Sequence, residues 1–297
     1  MADTLLLKKL FEKTPILNIK QAVLSAPVRH VFMNAVVWFL TKQKGKKDLN
    51  FNVLEIGSWM GASMLTWASA LDSYNEGEGS ITCVDAWEPF FSSEEKETEW
   101  YREMDHLLES DFSYNIFRHN LSCVSSKINK QHFRGKSEMI LPLVKVNTFD
   151  IVYVDGDHSY KGVKSDIINS KNLVKEGGII CGDDLNLQFH ECDSEFVIKN
   201  AHRDFLAEPT TNKNIHPGVT LAVYEELGEV SAWAGFWAMR KTKTGWEKID
   251  LLDMPIVYPP HLPDDALKRA QSHINDLIKI GQVIPSNGEI HLKKRNM

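Results

Sequence analysis

The chain has 297 residues, a formal net charge of −6 and a hydrophobic fraction of 43%, which are the proportions of a globular protein. The mild negative charge gives no electrostatic reason to expect nucleic acid or an anionic membrane as a partner. The four cysteines show no C-x-x-C spacing and the N-terminus has no secretory pattern, so we expect a reducing, cytoplasmic location.

The predicted elements divide the chain into three segments. Residues 1–50 carry apolar residues at helical spacing and are predicted to form a helical extension. In residues 51–241, short apolar strands alternate with helices, which predicts an α/β fold with a doubly wound, mostly parallel sheet covered on both faces. Residues 242–297 are Pro-rich and end in an amphipathic helix that begins near Asp264. The predicted strands are Asn52–Ile56, Ser80–Asp85, Gln131–Arg134, Phe149–Asp155 and Ile179–Asp183, followed by a hairpin at 230–240.

An insertion, residues 88–113, separates the second and third predicted strands. Ser92 and Glu95 have capping-box spacing and predict the start of a helix that carries Trp100 and Met104. Because this helix follows the carboxyl end of the second strand, it is either a lid over a ligand site or an added packing layer. Residues 185–215 are polar and show no clear period.

The stretch 53–63 passes from an apolar strand through a glycine turn into a helix, an order that places a ligand at a helix N-terminus. A dinucleotide-binding turn reads G-x-G-x-x-G, whereas this turn keeps only Gly57 and Gly61 and has Trp59 between them. Glu55 at the strand end would repel a pyrophosphate. The turn therefore favours a cofactor with a cationic end, and an ordinary strand–helix turn is the alternative.

Acidic residues fall at the ends of four predicted strands. Glu55, Asp85, Asp155 and Asp183 all occupy such positions. Ligands of open parallel sheets bind beyond the carboxyl ends of the strands, so we expect these carboxylates to line one rim and to favour a positively charged ligand.

Residues 50–241 resemble the class I S-adenosylmethionine-dependent methyltransferases, and most closely their O-methyltransferase-like branch, which includes catechol and macrocin-type enzymes. The resemblance implies a Rossmann-like, seven-stranded sheet whose last strand is antiparallel. The motifs that carry it are Val53–Ser58 with Gly61 and Ser63, Asp85, Arg134–Ser137 with Leu141-Pro142, Val154–Tyr160, and Lys175–Asp184.

The resemblance implies S-adenosylmethionine as the cofactor. Asp85 matches the acidic residue that takes the ribose hydroxyls in the family, and a helix N-cap is its alternative role. The segment at 134–137 is similar to the one that borders the adenine. The cofactor-binding residues predicted in this way are Glu55, Gly57, Ser58, Gly61, Ser63, Asp85, Ala86, Trp87, Gly135, Lys136, Ser137 and Asp155.

The resemblance also implies a metal site. Asp155, Asp183 and Asp184 stand where metal-dependent members place their ligands, and hard oxygen donors suit Mg²⁺. The alternative is that these residues cap helices or bind backbone amides without a metal. Asp157 is a second choice of ligand for which a helix N-cap is the alternative.

His158 follows Asp155 by three residues, where catechol-type relatives place a base. A neutral imidazole there can take the proton of an acceptor hydroxyl, so His158 and Asp155 are the predicted catalytic residues. A loop histidine bonded to the backbone is the alternative for His158. His216 and His190 are further candidates with less support from position.

We therefore predict Mg²⁺-assisted O-methylation of a hydroxyl on a small polar metabolite such as a sugar. Two alternatives are a metal-independent methyltransferase that acts on nitrogen or on protein, and a non-catalytic binding or scaffold protein with the same fold. We expect a small-molecule acceptor, and no nucleic acid or membrane partner. A homo-oligomer in which the terminal helices pack against a second copy of the chain is a further possibility.

Overall fold

The computed structural model describes residues 8–44, 50–251, 253–284 and 290–291. Its helices are α1 (described over 8–12), α2 (Arg29–Lys44), α3 (Ala62–Tyr74), α4 (Glu99–Glu109), α5 (Phe112–Ser122), α6 (Ser137–Ile140), α7 (Tyr160–Leu173), α8 (Ser194–Asn200), α9 (Pro217–Leu227) and α10 (Asp264–Lys279). Its strands are β1 (Asn52–Ile56), β2 (Gly79–Asp85), β3 (Ile128–Arg134), β4 (Phe149–Val154), β5 (Val174–Leu185), β6 (Leu206–Ala207), β7 (Asn214–Ile215), β8 (Ser231–Trp233), β9 (Gly235–Lys241), β10 (Trp246–Lys248), β11 (Ile256–Val257) and β12 (Ile290–His291).

Eight strands form the main sheet, in the order β10-β9-β5-β4-β1-β2-β3, with β8 paired to β9 beside this path. Strands β1 to β5 run parallel to one another, whereas β9 runs antiparallel to β5 and to both β8 and β10. The predicted α/β class, with a parallel sheet and antiparallel terminal strands, is confirmed. The hairpin predicted at 230–240 is formed by β8 and β9, and the short strand β10 is an addition to the seven strands that the sequence predicted.

Buried side chains alternate across the sheet into two cores. Val53, Ile81 and Ile151 face the core shared with α2, α3 and α10, while Leu54 and Val152 face the core shared with α7 and α9. Successive residues of a strand point to opposite faces, so strands buried on both faces read as continuous apolar runs. Helices therefore cover both faces of the sheet, as predicted.

Two predicted elements differ from the structure. Residues 13–28 form turns and bends where the sequence predicted helix. Apolar residues recur at helical spacing only in the segments that form α1 and α2. The capping box forms, with Glu95 accepting from the Ser92 amide at 2.7 Å, but it starts a single 3₁₀ turn at Glu95–Glu97. The helix proper, α4, begins only at Glu99.

The terminal segments pack on the central sheet. Ile16 from the N-terminal segment and Ala270, Ile274 and Leu277 of α10 are buried in the same core as the strands. The apolar face predicted for the last helix is therefore covered by this chain itself. Among the residues that the structure describes, no helix has both the length and the apolar character that a membrane crossing requires.

Candidate active site

A cavity of about 690 Å³ opens at the carboxyl ends of β1, β2, β4 and β5, within the size range of small-molecule sites. Parallel strands bring their ends to one edge, and this is where the sequence predicted a rim of carboxylates. The predicted site residues on its wall are Gly57, Ser58, Ser63, Asp85, Ala86, Lys136, Ser137, Asp155, His158, Asp183 and Asp184.

The loop after β1 is held tightly against β4. Gly57 has φ +85°, and a Cβ on it would lie 1.8 Å from the carbonyl oxygen of Asp155. Its amide donates to the carbonyl of Val84 at 2.9 Å. Only glycine satisfies both the left-handed conformation and the close approach. The loop thus presents backbone at the N-terminus of α3, which starts after Gly61.

Asp85 organises the neighbouring wall. One carboxylate oxygen accepts from the Trp59 amide at 2.9 Å and the other from the Trp87 amide at 2.7 Å. Burial raises the pKa of Asp85, against these backbone donors, which favour its charged form. Neither donor belongs to a helix, so the helix-cap alternative is wrong. The Ser58 amide is a third backbone donor that favours the charged form, and Asp85 lies on the cavity wall.

Four predicted cofactor residues stand behind the wall: Glu55, Gly61, Trp87 and Gly135. The side chain of Trp87 is 1% exposed and packs on Tyr114 and Phe117. Gly61 is the N-cap residue of α3, and Gly135 donates its amide to the carbonyl of Asp85. These positions support the wall and do not form it.

Glu55 is wholly buried, and neither of its carboxyl oxygens has a hydrogen-bond partner among the described residues. Burial raises its pKa to about 7. The strand places this side chain on the face that carries Val53, in the core shared with α3. The side chains of Ser58, Ser63 and Trp67 act against burial and favour the charged form of Glu55.

A buried arginine joins the carboxylates after β5. Arg29, in the first turn of α2, places Nη1 2.6 Å from an oxygen of Asp183 and 2.6 Å from an oxygen of Asp184. Its other nitrogens donate to Asn186 and to the carbonyl of Ala234. These carboxylates raise the pKa of Arg29, against burial. Sequence reasoning missed Arg29, because α2 showed only a packing pattern.

Asp204 is the centre of a second cluster that the sequence did not predict. Its Oδ1 lies 2.7 Å from His158 Nδ1 and 3.0 Å from His216 Nδ1, and its Oδ2 accepts from the Tyr101 hydroxyl. The opposite ring nitrogens face Asp184, with His158 Nε2 at 3.0 Å and His216 Nε2 at 3.6 Å. Asp204 lies in the stretch without a clear period, so no pattern marked it.

Charge distribution in the two clusters follows from these contacts. Burial opposes the imidazolium of His158, but Asp184 and Asp204 outweigh it and raise its pKa well above the usual value. Burial likewise opposes ionisation of Asp184, yet the two histidines and Arg29 hold its pKa well below the usual range. Burial raises the pKa of Asp183 to about 6 and that of Asp155 well above normal.

The predicted metal ligands do come together. Asp155, Asp183 and Asp184 each offer an oxygen within 4.8 Å of the others, and one oxygen of Asp183 is buried without a partner among the described residues. Arg29, however, already binds an oxygen of two of these carboxylates. A cation shared by all three would meet the guanidinium at close range. The three-carboxylate set therefore fits Mg²⁺ poorly as long as Arg29 stays in place.

The insertion covers the cavity. Trp100, Tyr101 and Met104 of α4 lie on the wall, and Met104 also packs with Phe91 in a small core of its own. Glu94 and Arg203 form an ion pair at 2.7 Å that ties the insertion to the segment before β6. The insertion is thus both a cover and a packing layer, which joins the two alternatives that the sequence left open.

Residues 54–185 match a family described as a methyltransferase domain. This match confirms the class predicted from the sequence, because it spans β1 to β5 and the loops that carry the rim. The chain therefore contains a methyltransferase domain, and we assign it to the methyltransferase class of enzymes. Among curated proteins, no sequence matches the chain.

Several solved structures are similar to this chain. The TDP-rhamnose 3'-O-methyltransferase CalS11 of calicheamicin biosynthesis is 14% identical, with 80% of this chain and 92% of that chain covered and a TM-score of 0.40. An O-methyltransferase from Bacillus cereus is 15% identical, with 82% of this chain and 86% of that chain covered and a TM-score of 0.36. The O-methyltransferase NovP is 13% identical, with 73% of this chain and 80% of that chain covered and a TM-score of 0.45. At these identities, the roles of individual residues rest on the geometry of this chain.

Proposed function

We propose that this protein is an S-adenosylmethionine-dependent O-methyltransferase that acts on a hydroxyl of a small polar metabolite such as a sugar. The observation that carries the proposal is the cavity at the strand ends, in which the Gly57 loop and Asp85 stand beside a carboxylate rim. Its volume of about 690 Å³ suits a nucleoside cofactor together with a small acceptor.

The cofactor end is the wall formed by the Gly57 loop, Asp85 and the segment 136–137. When bound, S-adenosylmethionine supplies an activated methyl group on a positively charged sulfur. A carboxylate rim favours that charge. Asp85 lies on this wall and would accept a hydrogen bond from a ribose hydroxyl, as the corresponding acidic residue does in dinucleotide sites. Lys136 and Ser137 offer polar contacts to the base.

The acceptor end lies between α4 and the clusters around Asp184. Aromatic side chains of Phe90, Trp100 and Phe205 line this part of the cavity and offer flat apolar faces to a ring. The cover formed by α4 excludes water, and the rigid walls hold an acceptor oxygen in line with the transferred methyl group.

A hydroxyl must lose its proton as the methyl group is transferred. Both ring nitrogens of His158 face carboxylates, so this side chain is poorly placed to receive it. Asp155 lines the cavity, and the Tyr153 hydroxyl donates to its Oδ2 at 3.1 Å. We therefore assign proton acceptance to Asp155, the other catalytic residue that the sequence predicted.

The Mg²⁺ site that the sequence predicted at Asp155, Asp183 and Asp184 is a second part of the proposal. At that site Asp155 would bind the ion instead of accepting the proton, and the ion would lower the pKa of the acceptor hydroxyl. Binding requires Arg29 to withdraw from two carboxylates. Turnover that survives exhaustive chelation would exclude this part of the proposal and leave the methyltransferase assignment intact.

The assignment is tested by titration calorimetry with S-adenosylhomocysteine, followed by methyl-transfer assays on a panel of glycosides and polyols. We expect binding of one equivalent and transfer to at least one hydroxyl. A chain that is folded but binds neither S-adenosylmethionine nor S-adenosylhomocysteine would overturn the proposal.

A further inference from the structure

We propose that His158, His216 and Asp184 form a binding site for a divalent transition-metal ion of the Mn²⁺, Fe²⁺, Co²⁺ or Zn²⁺ class. This site differs in its ligands from the three-carboxylate set, and it can be tested whether or not the protein transfers methyl groups.

The ligand atoms already converge. The two Nε2 atoms and the carboxylate of Asp184 offer three donors that all lie within 4.8 Å of one another. His158 Nε2 is 3.0 Å from one oxygen of Asp184, and His216 Nε2 is 3.6 Å from the other. Two imidazoles and one carboxylate on one side of an ion are the ligands of open transition-metal sites.

Each ligand is held by an outer partner. Asp204 Oδ1 lies at hydrogen-bond distance from the Nδ1 atoms of both His158 and His216. An Nδ1–H that donates to this carboxylate leaves the Nε2 lone pair directed at the ion, which is the usual arrangement around metal-bound histidine. Arg29 binds an oxygen of Asp184 at 2.6 Å and fixes that carboxylate in turn.

Asp204 itself is anchored. The Tyr101 hydroxyl donates to its second oxygen, so its first oxygen is aimed at the two histidines. One carboxylate that orients two imidazoles toward a third acidic group is hard to explain by packing, because apolar contacts would fill the same space at lower desolvation cost.

The nature of the ligands selects the ion. Imidazole nitrogen suits borderline transition metals, whereas Mg²⁺ prefers an all-oxygen set with retained waters. Arg29 binds Asp183 and Oδ1 of Asp184. His216 Nε2 faces that same Oδ1, whereas His158 Nε2 faces Oδ2, so Oδ2 is the Asp184 oxygen that would bind the ion. The three ligand residues lie on the cavity wall, so the remaining coordination positions are open to an acceptor oxygen or water.

The test is direct metal binding to the full chain after dialysis against EDTA. Titration calorimetry is run with Mn²⁺, Co²⁺, Zn²⁺ and Mg²⁺. We expect one equivalent of each transition metal to bind at least tenfold more tightly than Mg²⁺. In the unaltered chain carrying ¹⁵N-labelled histidine, Zn²⁺ should shift the Nε2 resonances of two histidines, which reports ligation without any variant.

Two substitutions locate the site. His216→Ala and Asp204→Asn should each weaken Co²⁺ binding by tenfold or more, as loss of a ligand or of its outer partner does. His190→Ala, at an exposed histidine outside the cavity, should leave Co²⁺ affinity unchanged. Circular dichroism and urea unfolding confirm that each variant is folded.

Three results would overturn the proposal. They are the absence of transition-metal binding, the absence of a histidine Nε2 shift on Zn²⁺ addition, and ion binding that Asp155→Asn abolishes while His216→Ala leaves it intact. Failure of methyl transfer in the assay panel would not affect it, so this proposal and the proposed function fail separately.

Discussion

At the scale of single residues, the site is set by which charges face each side chain. Asp184 lies between Arg29 and two histidines and stays ionised, whereas Asp183, buried beside it, has its pKa raised to about 6. The sequence predicted where the carboxylates lie, because they follow parallel strands whose carboxyl ends meet at one edge of the sheet. Their partners come from other segments, and no local pattern marks such contacts.

Asp85→Asn should weaken S-adenosylhomocysteine binding roughly tenfold to a hundredfold, since hydrogen bonds to a charged group contribute about 1.5–3 kcal/mol. Calorimetry measures the change, with the exposed substitution Asp265→Asn on α10 as the control. An unchanged dissociation constant would remove Asp85 from the cofactor site.

Glu55→Gln should change how stability depends on pH. Glu55 has an ordinary pKa of 4.5 and a value of about 7 in the folded chain. Between these values the folded state binds more protons than the unfolded state, so the free energy of unfolding falls as pH rises from 4.5 to 7. The difference amounts to about 3 kcal/mol.

Glu55→Gln removes this penalty. Urea unfolding of the cofactor-free proteins at pH 4.5 and pH 7 should show that the variant gains stability relative to the original chain only at the higher pH. An equal difference at both pH values would show that Glu55 titrates normally in the folded chain.

At the scale of elements, the Gly57 loop and the α4 cover shape the cavity. The loop was predictable, since a turn that joins a buried strand to a helix has few solutions. The cover was predictable only as a helix, because its contacts with residues 203–204 link segments about a hundred positions apart.

Gly57→Ala should lower the free energy of unfolding by more than about 3 kcal/mol, since its Cβ would lie 1.8 Å from the backbone of Asp155. Gly281 has φ +73°, and a Cβ added there would meet nothing within 4 Å, so Gly281→Ala should cost only about 1–2 kcal/mol. Equal losses in denaturant titrations would contradict the close approach.

Tyr101→Phe should loosen the cover, because it removes the hydroxyl that donates to Asp204. Amides of 99–109 are expected to exchange with deuterium roughly tenfold faster, as loss of a bond to a charged acceptor implies. Tyr160→Phe is the matched control, since that hydroxyl donates to Glu225 away from the cavity. Unaltered exchange in Tyr101→Phe would show that apolar packing alone holds α4.

At the scale of the whole molecule, the sheet and the terminal segments share one core. The alternation of strands and helices predicted the architecture, because a parallel sheet needs helices on both faces. The same reasoning did not predict what α10 packs against, because amphipathic spacing shows that one face of a helix is buried but not which residues cover it. The structure supplies the answer in Ile274, which is 0% exposed among residues of both ends of the chain.

Ile274→Ala should lower the free energy of unfolding by about 2–5 kcal/mol. Ile280, just beyond the same helix, is 67% exposed, and Ile280→Ala should change it by less than about 0.5 kcal/mol. Urea unfolding monitored by tryptophan fluorescence compares the two. A small effect of Ile274→Ala would mean that α10 unfolds independently of the sheet.

The ion pair between Arg29 and Asp184 spans 155 positions of the chain. A contact of that separation forms only after much of the intervening chain is ordered. Until α2 docks, the neighbouring carboxylates repel one another without a fixed counter-charge. We therefore expect the rim to be assembled late in folding, so that a competent site signals that α2 and β5 have already met.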